Sequence, residues 1–425
     1  MSVSARDILR LSIPALGVLA ATPLYLLLDT AVVGRLGTFE LAALAAAASV
    51  QSTVTTQLTF LSYGTTARSS RLFGQGKRAE AVEEGVQATW VGLGVGTLLA
   101  IIIWLFGLPI AKAMTGDDAV AHETAQWLYI SAFAIPLTLT IMAGNGWLRG
   151  IQDTRRPLYF VLAGIIPAAL LLYPLVSWLG LRGSAVANVL GMAISAACFL
   201  VCLAREHTGG WAPRLDIIGK QLVLGRDLIL RSLSFQVAFL SAAAVAARFG
   251  AASLAAHQIM LQVWNFISLV LDSLAIAAQT LVGAARGRGT AKTARQVGDQ
   301  VTRYSTAFSV LLAAIFAAGY RVIPRLFTTS PDVLAQLATP WWQLILLILL
   351  GGVVFALDGV LLGAGDAAFL RTITLGAVAL GFLPGVWLSY ALHGGLVGVW
   401  WGLVAFIALR TAAVVWRFRS MKWAV

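Results

Sequence analysis

The stretch RLGTFELAAL, residues 35–44, returns in altered form as RFGAASLAAH, residues 248–257. The separation is 248 minus 35, or 213 residues, and it aligns two further pairs of segments. These are LFGQGKRAEA (72–81) with ARGRGTAKTA (285–294), and LRGIQD (148–153) with LLGAGD (361–366). A constant separation over so much of the chain is hard to obtain from shared composition alone. The sequence therefore predicts two copies of one structural unit.

The composition indicates a protein that lies in lipid. Of the 425 residues, 59% are hydrophobic and 11% are charged, and the mean hydropathy is +0.85. A soluble domain carries roughly 25% charged residues. Uncharged runs of about 20 residues, the length that crosses a bilayer core, recur along the chain. We predict twelve membrane-spanning helices, at 11–34, 44–66, 86–110, 124–148, 157–179, 183–204, 229–249, 252–284, 302–323, 339–363, 370–392 and 395–416.

The predicted fold is an all-α integral membrane protein with twelve transmembrane helices in two six-helix lobes. Because six is even, both copies enter the membrane in the same orientation, and a pseudo-two-fold axis along the membrane normal relates them. The predicted lobes cover residues 1–210 and 225–425, and residues 211–224 form a cytoplasmic linker. The sequence has no soluble domain and no phosphate-binding loop G-x-x-x-x-G-K-S/T. This arrangement favours a secondary transporter with a substrate site near the membrane midplane.

The net charge is +12. The basic residues behind it are distributed unequally between the two sides of the membrane, as in a membrane protein, and do not indicate a nucleic-acid-binding surface. When successive loops are assigned to alternate sides, the side with both termini carries 24 of the 30 Lys and Arg residues. The positive-inside rule therefore places both termini in the cytoplasm and predicts no nucleic-acid partner. The other side keeps Arg35, Lys112, Arg182, Arg248, Arg321 and Arg325.

One acid, Asp29, interrupts the first predicted span, in PLYLLLDTAVVGRLG (23–37). A charged side chain at the bilayer centre costs on the order of 2.5–3.5 kcal/mol on insertion scales, so such an acid is a functional candidate. The copied position in the second half is Ala242, so the duplicated scaffold does not require an acid there. Asp272 and Asp358 also lie in predicted spans, nearer the cytoplasm, where carboxylates that fix helix packing are the alternative.

The second predicted span is unusually polar, SVQSTVTTQLTFLS from Ser49. Four of its polar residues step by three or four positions and share one helix face. Such a stripe either bonds other helices or lines a wet cavity. His257 is expected near the outer membrane surface, where packing or hydrogen bonding is the alternative role. The candidates for a substrate cavity are Gln51, Thr55, Thr59, Ser62, Asn145, Tyr173, Asn188, His257, Gln258, Gln262, Asp272 and Asp358.

No catalytic or metal-binding pattern is present in the sequence. The four histidines are scattered, and neither H-E-x-x-H nor G-x-S-x-G occurs. Cys198 and Cys202 lie four residues apart on one predicted helix and are interpreted as packing residues. The sequence therefore predicts no enzyme, no cofactor and no metal site.

Four stretches carry a family pattern: PLYLLLDTAVVGRLG (23–37), GNGWLRGIQDTRRPL (144–158), LAAHQIMLQVWNFISLVLDSLAIAAQTLVG (254–283) and FALDGVLLGAGDAAFLR (355–371). They resemble the multidrug and toxin extrusion (MATE) transporters, and within them the DinF-like branch. The resemblance covers both halves in order. It implies two six-helix lobes around a central cleft. It also implies export of amphipathic, often cationic compounds against an inflow of H⁺ or Na⁺.

The functional acid on the first helix of that family falls on Asp29, which the resemblance therefore implies as the proton-coupling carboxylate. Family members commonly carry a further acid on the fifth helix, in a pattern like N-x-x-x-D-P. In ALLLYPLV (169–176), Ala169 and Tyr173 occupy the Asn and Asp positions. A sodium site wants several hard oxygen ligands, a carboxylate among them, so this departure makes Na⁺ less favoured than H⁺ as the coupling ion.

The resemblance thus implies a monomeric H⁺-coupled multidrug exporter in the inner membrane of a prokaryote, whose partners are an amphipathic small molecule, protons and the bilayer. Two alternatives of the same fold stay open. One is an exporter of an endogenous metabolite or organic acid. The other is a flippase for a lipid or a lipid-linked oligosaccharide, which would want several arginines inside the membrane. We assign nearly all basic residues to helix ends.

Overall fold

The computed structural model describes residues 2–425, and this part of the chain is helical throughout, with short connections and no β-strand. A π-helical turn at Val378–Phe382 joins the helix Ala367–Ala377 to the helix Leu383–Ala391. The helices are α1 (Ala5–Gly34), α2 (Thr38–Leu58), α3 (Phe60–Gly74), α4 (Arg78–Thr115), α5 (Asp118–Ser131), α6 (Ala134–Gly150), α7 (Arg155–Leu179), α8 (Leu181–Glu206), α9 (Leu215–Arg248), α10 (Ala251–Arg288), α11 (Ala291–Ala318), α12 (Ile323–Phe327), α13 (Pro331–Leu337), α14 (Pro340–Gly363), α15 (Ala367–Ala377), α16 (Leu383–Ala391) and α17 (Gly395–Arg419).

The spanning elements follow the predicted ones, with two breaks. Within the described residues, ten helical stretches are long and apolar enough to cross a membrane, and α5 with α6 forms an eleventh that is bent by 47°. Counting α2 with α3 as the remaining element gives the predicted twelve. The linker predicted over 211–224 is already helical from Leu215 onward.

The second span is not the single helix predicted over 44–66, because α2 ends at Leu58 and α3 begins at Phe60. The Thr56 hydroxyl donates to the Ser52 carbonyl at 2.8 Å, and the Thr59 hydroxyl donates to the Thr56 carbonyl at 2.9 Å. Hydroxyl groups that bond to preceding carbonyls compete with the helix ladder and bend helices. The Ser/Thr-rich composition that makes this span polar therefore also explains its break.

The chain forms two compact units. One unit comprises residues 13–225, and the other comprises residues 226–425 together with the N-terminal residues up to Ser12. The Val3 amide donates to Gln300 Oε1 at 2.7 Å within the second unit. The chain changes unit inside α1 and inside α9, and 225 minus 12 is again 213.

The two copies share helix bounds and backbone turns at the 213-residue separation. The starts of α2 and α10, the starts of α4 and α11, and the ends of α6 and α14 all differ by that number. Positive φ angles, uncommon outside glycine, recur in register as well. The pairs are Gly37 (146°) with Gly250 (108°), Gln152 (64°) with Gly365 (85°), and Gly180 (66°) with His393 (53°).

Close helix packing is duplicated too. Gly146 of α6 lies against the Ser62 carbonyl of α3, and Gly359 of α14 lies against the Ala275 carbonyl of α10. Positions 62 and 275 again differ by 213. Small residues let membrane helices approach closely, which supplies the van der Waals contact that holds them together in lipid.

Candidate functional site

Asp29 is buried inside the first unit, with 3% of its surface exposed. The Ser184 hydroxyl of α8 lies 2.6 Å from Asp29 Oδ1 and 2.8 Å from Oδ2, and it donates its one proton to this carboxylate. Trp127 Nε1 of α5 donates to Ser184 Oγ at 3.2 Å. Two helices, α5 and α8, thus supply a chain of donors to a carboxylate on α1. Ser184 and Trp127 were not predicted, and nothing in the sequence near Asp29 indicates them.

The surroundings of Asp29 are otherwise apolar. Val33, one turn further along α1, and Trp127 belong to one buried cluster with Leu181 and Ala185 of α8. Among the described residues, no basic side chain pairs with Asp29, and its hydrogen-bond partner is Ser184. A carboxyl group without a cationic partner can be held neutral or charged, and both forms can bond to a hydroxyl, which donates and accepts.

Tyr25 is a further polar residue on this part of α1. It lies four residues before Asp29, so the two side chains share one helix face. The Tyr25 hydroxyl is buried, and it has no hydrogen-bond partner among the described residues. Buried polar groups are nearly always hydrogen-bonded. An unsatisfied hydroxyl beside Asp29 therefore marks a place for a water molecule or a polar ligand.

Gln51 and Thr55 of α2 line a cavity of about 20 Å³ in the same unit. That volume is enough for a water molecule. The other lining residues are Val50, Val54, Leu58, Ile103, Leu128, Ser131, Ala132, Ile135 and Thr138. Ile103, Leu128 and Ala132 belong to the apolar cluster that contains Val33 and Trp127, so the cavity adjoins the core around Asp29.

The rest of the predicted polar stripe lies elsewhere. The break after Leu58 separates Thr59 and Ser62 from Gln51 and Thr55. Ser62 accepts a hydrogen bond of 3.1 Å from Arg149 Nη1, and both residues are buried. The structure therefore divides the stripe between a small cavity and a buried arginine.

Two predicted asparagines lie on helices of the same unit. Asn145 is buried on α6, and its Oδ1 has no hydrogen-bond partner among the described residues. Asn188 is buried on α8, four residues after Ser184 and on the same face of that helix. Asn188 is thus the predicted cavity residue that lies closest along the chain to the partner of Asp29. Tyr173 of α7 is 64% exposed.

The candidates on α10 occupy different environments. His257 is fully buried, and Trp400 Nε1 donates to its Nδ1 at 3.1 Å. This bond requires a neutral imidazole with its proton on Nε2, which has no partner among the described residues. Gln258 and Gln262 are exposed, and Asp272 is half-buried. The packing or hydrogen-bonding alternative for His257 therefore has a specific partner in Trp400.

Asp358 lies in an ion cluster of the second unit. Its Oδ2 accepts from Arg231 Nη2 at 2.5 Å and also from Arg410 Nη2. The assignment of basic residues to helix ends is wrong for Arg410, which is 3% exposed and lies nine residues before the end of α17 at Arg419. A counter-charge on α14 allows an arginine to be buried there. Within residues 2–425, no three His, Cys, Asp or Glu side chains group closely enough to hold a metal ion.

The family model described as MatE matches residues 14–175 and 228–387. "Protein DETOXIFICATION 44, chloroplastic" from Arabidopsis thaliana is 30% identical over 98% of this chain and 83% of that protein. "DNA damage-inducible protein F" from Escherichia coli (strain K12) is 27% identical over 87% of this chain and 83% of that protein. A structure described as the outward-facing conformation of a multidrug resistance MATE family transporter has a TM-score of 0.86, with 20% identity over 98% of this chain and 96% of that one. These comparisons confirm the resemblance and the twelve-helix, two-lobe fold.

Proposed function

We propose that this chain, which belongs to the MatE family, exports amphipathic, often cationic organic compounds by antiport with H⁺. The observation that carries the proposal is Asp29, a buried carboxyl group that is bound by a hydroxyl and paired with no cation among the described residues. The solved structure of similar fold that is described as a multidrug resistance transporter supports the substrate class. The proposed place of action is the inner membrane of a prokaryote, with both termini in the cytoplasm.

The proton cycle uses the two forms of the Asp29 side chain. When charged, the carboxylate accepts the Ser184 proton, and Trp127 satisfies the serine oxygen. When protonated, Asp29 becomes a donor, and the Ser184 hydroxyl rotates to accept from it. Because the apolar surroundings penalise a charge, the protonated form packs with less penalty. Substrate export is coupled when the cationic compound binds with the charged form and leaves as Asp29 takes up a proton.

The choice of H⁺ over Na⁺ rests on the available ligands. Sodium prefers several oxygen ligands at once, whereas Asp29 has one hydroxyl partner. Tyr173 and Ala169 stand where family members commonly carry a second acid and an asparagine. The α7 contribution to a cation site is therefore missing from this chain.

A gradient experiment tests the proposal. Protein reconstituted in vesicles that contain a cationic dye is given either a proton gradient, or a sodium gradient at equal and clamped pH. Efflux is expected under the proton gradient and should disappear on addition of a protonophore. Vesicles without protein are the control. Dye efflux driven by Na⁺ at equal pH would refute proton coupling, and the absence of dye movement under either gradient would refute the substrate class.

A further inference from the structure

Three charged side chains meet inside the second unit: Arg231 of α9, Asp358 of α14 and Arg410 of α17. Both guanidinium groups donate to the same carboxylate oxygen, Asp358 Oδ2. The other oxygen, Oδ1, is buried without a partner among the described residues, and so are Nε of Arg231 and Nε of Arg410. The Arg231–Asp358–Arg410 cluster therefore has unused donors on both arginines.

The cluster also has an excess of positive charge. Two guanidinium groups face one carboxylate, so its net charge is +1. The nearby acid on α9, Asp227, is bound to Arg371 at 2.5 Å and to Arg226 at 3.3 Å. Proteins normally pair buried charges, because an uncompensated one is strongly destabilising. The cluster is thus short of one negative charge.

Aromatic rings hold the two guanidinium groups in place. The Phe235 ring lies 5.5 Å from the Arg231 guanidinium carbon and 5.0 Å from that of Arg410, and Phe406 lies 5.6 Å from Arg410. Rings against the flat faces of arginines leave the N–H edges to bind other groups. The Arg231 side chain is 18% exposed, so the cluster is reachable from that side.

We propose that the Arg231–Asp358–Arg410 cluster binds an oxyanion, a carboxylate or phosphate group, which supplies the missing negative charge. Arginine forks match such planar or tetrahedral oxyanions with two parallel hydrogen bonds. The group comes either from a soluble compound or from a lipid headgroup. This site lies in a different unit from Asp29 and goes beyond the proposed function, since it extends the ligands to anionic or zwitterionic amphiphiles.

Thermal unfolding of the purified full-length protein tests the site. In detergent, succinate or inorganic phosphate is titrated against sodium chloride at equal ionic strength. In a second arm, phosphatidylglycerol is added to the protein in a detergent that has no phosphate or carboxylate group, and diacylglycerol, which also lacks both groups, is the control. The variants are Asp358→Asn and Arg410→Gln. The matched control is Arg417→Gln on the same helix, which removes an arginine paired one-to-one with Asp366 at 2.7 Å.

An oxyanion is expected to raise the Tm of the wild type and of Arg417→Gln, and not that of Arg410→Gln. Asp358→Asn removes the competing carboxylate and should respond at a roughly tenfold lower concentration, the scale of coupling between close charges. This pattern with succinate or phosphate identifies a soluble ligand, and with phosphatidylglycerol alone a lipid. If Arg410→Gln does not fold, the test is the comparison of Asp358→Asn with the wild type, in which the variant should respond at the lower oxyanion concentration. The proposal would be overturned if the oxyanion raised the Tm of Arg410→Gln as much as that of the wild type. It would also be overturned if the oxyanion raised the Tm of neither the wild type nor Asp358→Asn.

Discussion

The duplicated turns require single residues with a positive φ, a conformation that costs free energy for any residue other than glycine. Gly365 has a φ of 85° in the loop between α14 and α15, and Gly376 of α15 has an ordinary helical backbone. An added Cβ meets nothing within 4 Å at either position, so only the backbone conformation differs between them. These two glycines therefore make a matched pair for measuring that cost.

Gly365→Ala is expected to destabilise the protein by roughly 1–2 kcal/mol, because a left-handed backbone brings Cβ close to a carbonyl. Gly376→Ala is expected to stabilise it by roughly 0.5–1 kcal/mol, because alanine is the better helix former. Reversible unfolding in mixed micelles measures both free energies. Equal effects of the two substitutions would contradict this reading of the turn.

Residue identities predicted the acid but not its partners. Asp29 stands out because lipid penalises a carboxylate, and that penalty can be read from a local run of sequence. Ser184 is 155 residues away, and one serine among many carries no mark that it faces an acid. Arg410 was assigned to a helix end for the same reason: its counter-charge, Asp358, lies on another helix. Contacts across helices depend on packing, which hydropathy does not contain.

At the scale of the helix, hydropathy predicts where the chain crosses the membrane, but it does not predict where a spanning helix breaks or bends. The predicted span 44–66 is divided after Leu58, and α5 with α6 is bent by 47°. Together α5 and α6 are apolar enough to pass as one span. The sequence likewise predicts 44–66 as one run, because hydropathy does not register the local competition between hydroxyls and carbonyls. The break matters for the site, since it leaves Gln51 and Thr55 at the cavity and directs Ser62 to Arg149.

The close contact between α10 and α14 depends on a glycine. An added Cβ at Gly359 would meet the backbone of Ala275, whereas at Gly94 of α4 it would meet nothing within 4 Å. Gly359→Ala is expected to lower stability by about 1–3 kcal/mol, the usual effect of overpacking, and Gly94→Ala is expected to be harmless. Thermal unfolding in detergent compares them. If the Gly359→Ala protein were as stable as Gly94→Ala, then α10 and α14 could move apart without a loss of stability, which would contradict this prediction.

For the whole molecule, the internal repeat was the feature of the sequence that best predicted the architecture. A separation of 213 residues predicted two related units, and it recurs in helix bounds, positive φ angles and glycine contacts. The repeat predicts shared architecture and not shared chemistry, because Asp29 corresponds to Ala242. The proposed coupling residue, Asp29, lies in one unit, and the arginine cluster lies in the other.

Uptake of a cationic dye into inverted vesicles, whose cytoplasmic face points outward, tests proton coupling by Asp29 at matched protein levels. Asp29→Asn keeps the size and much of the hydrogen bonding of the side chain but fixes it neutral at every pH. The substitution is expected to abolish pH-driven dye uptake, while the detergent-solubilised protein stays monodisperse. Asp29→Glu should retain part of the activity, and Ser184→Ala should retain coupled transport, because the titratable carboxyl group remains in both. A well-folded Asp29→Asn protein that pumps at near wild-type rate under a pH gradient would contradict the mechanism.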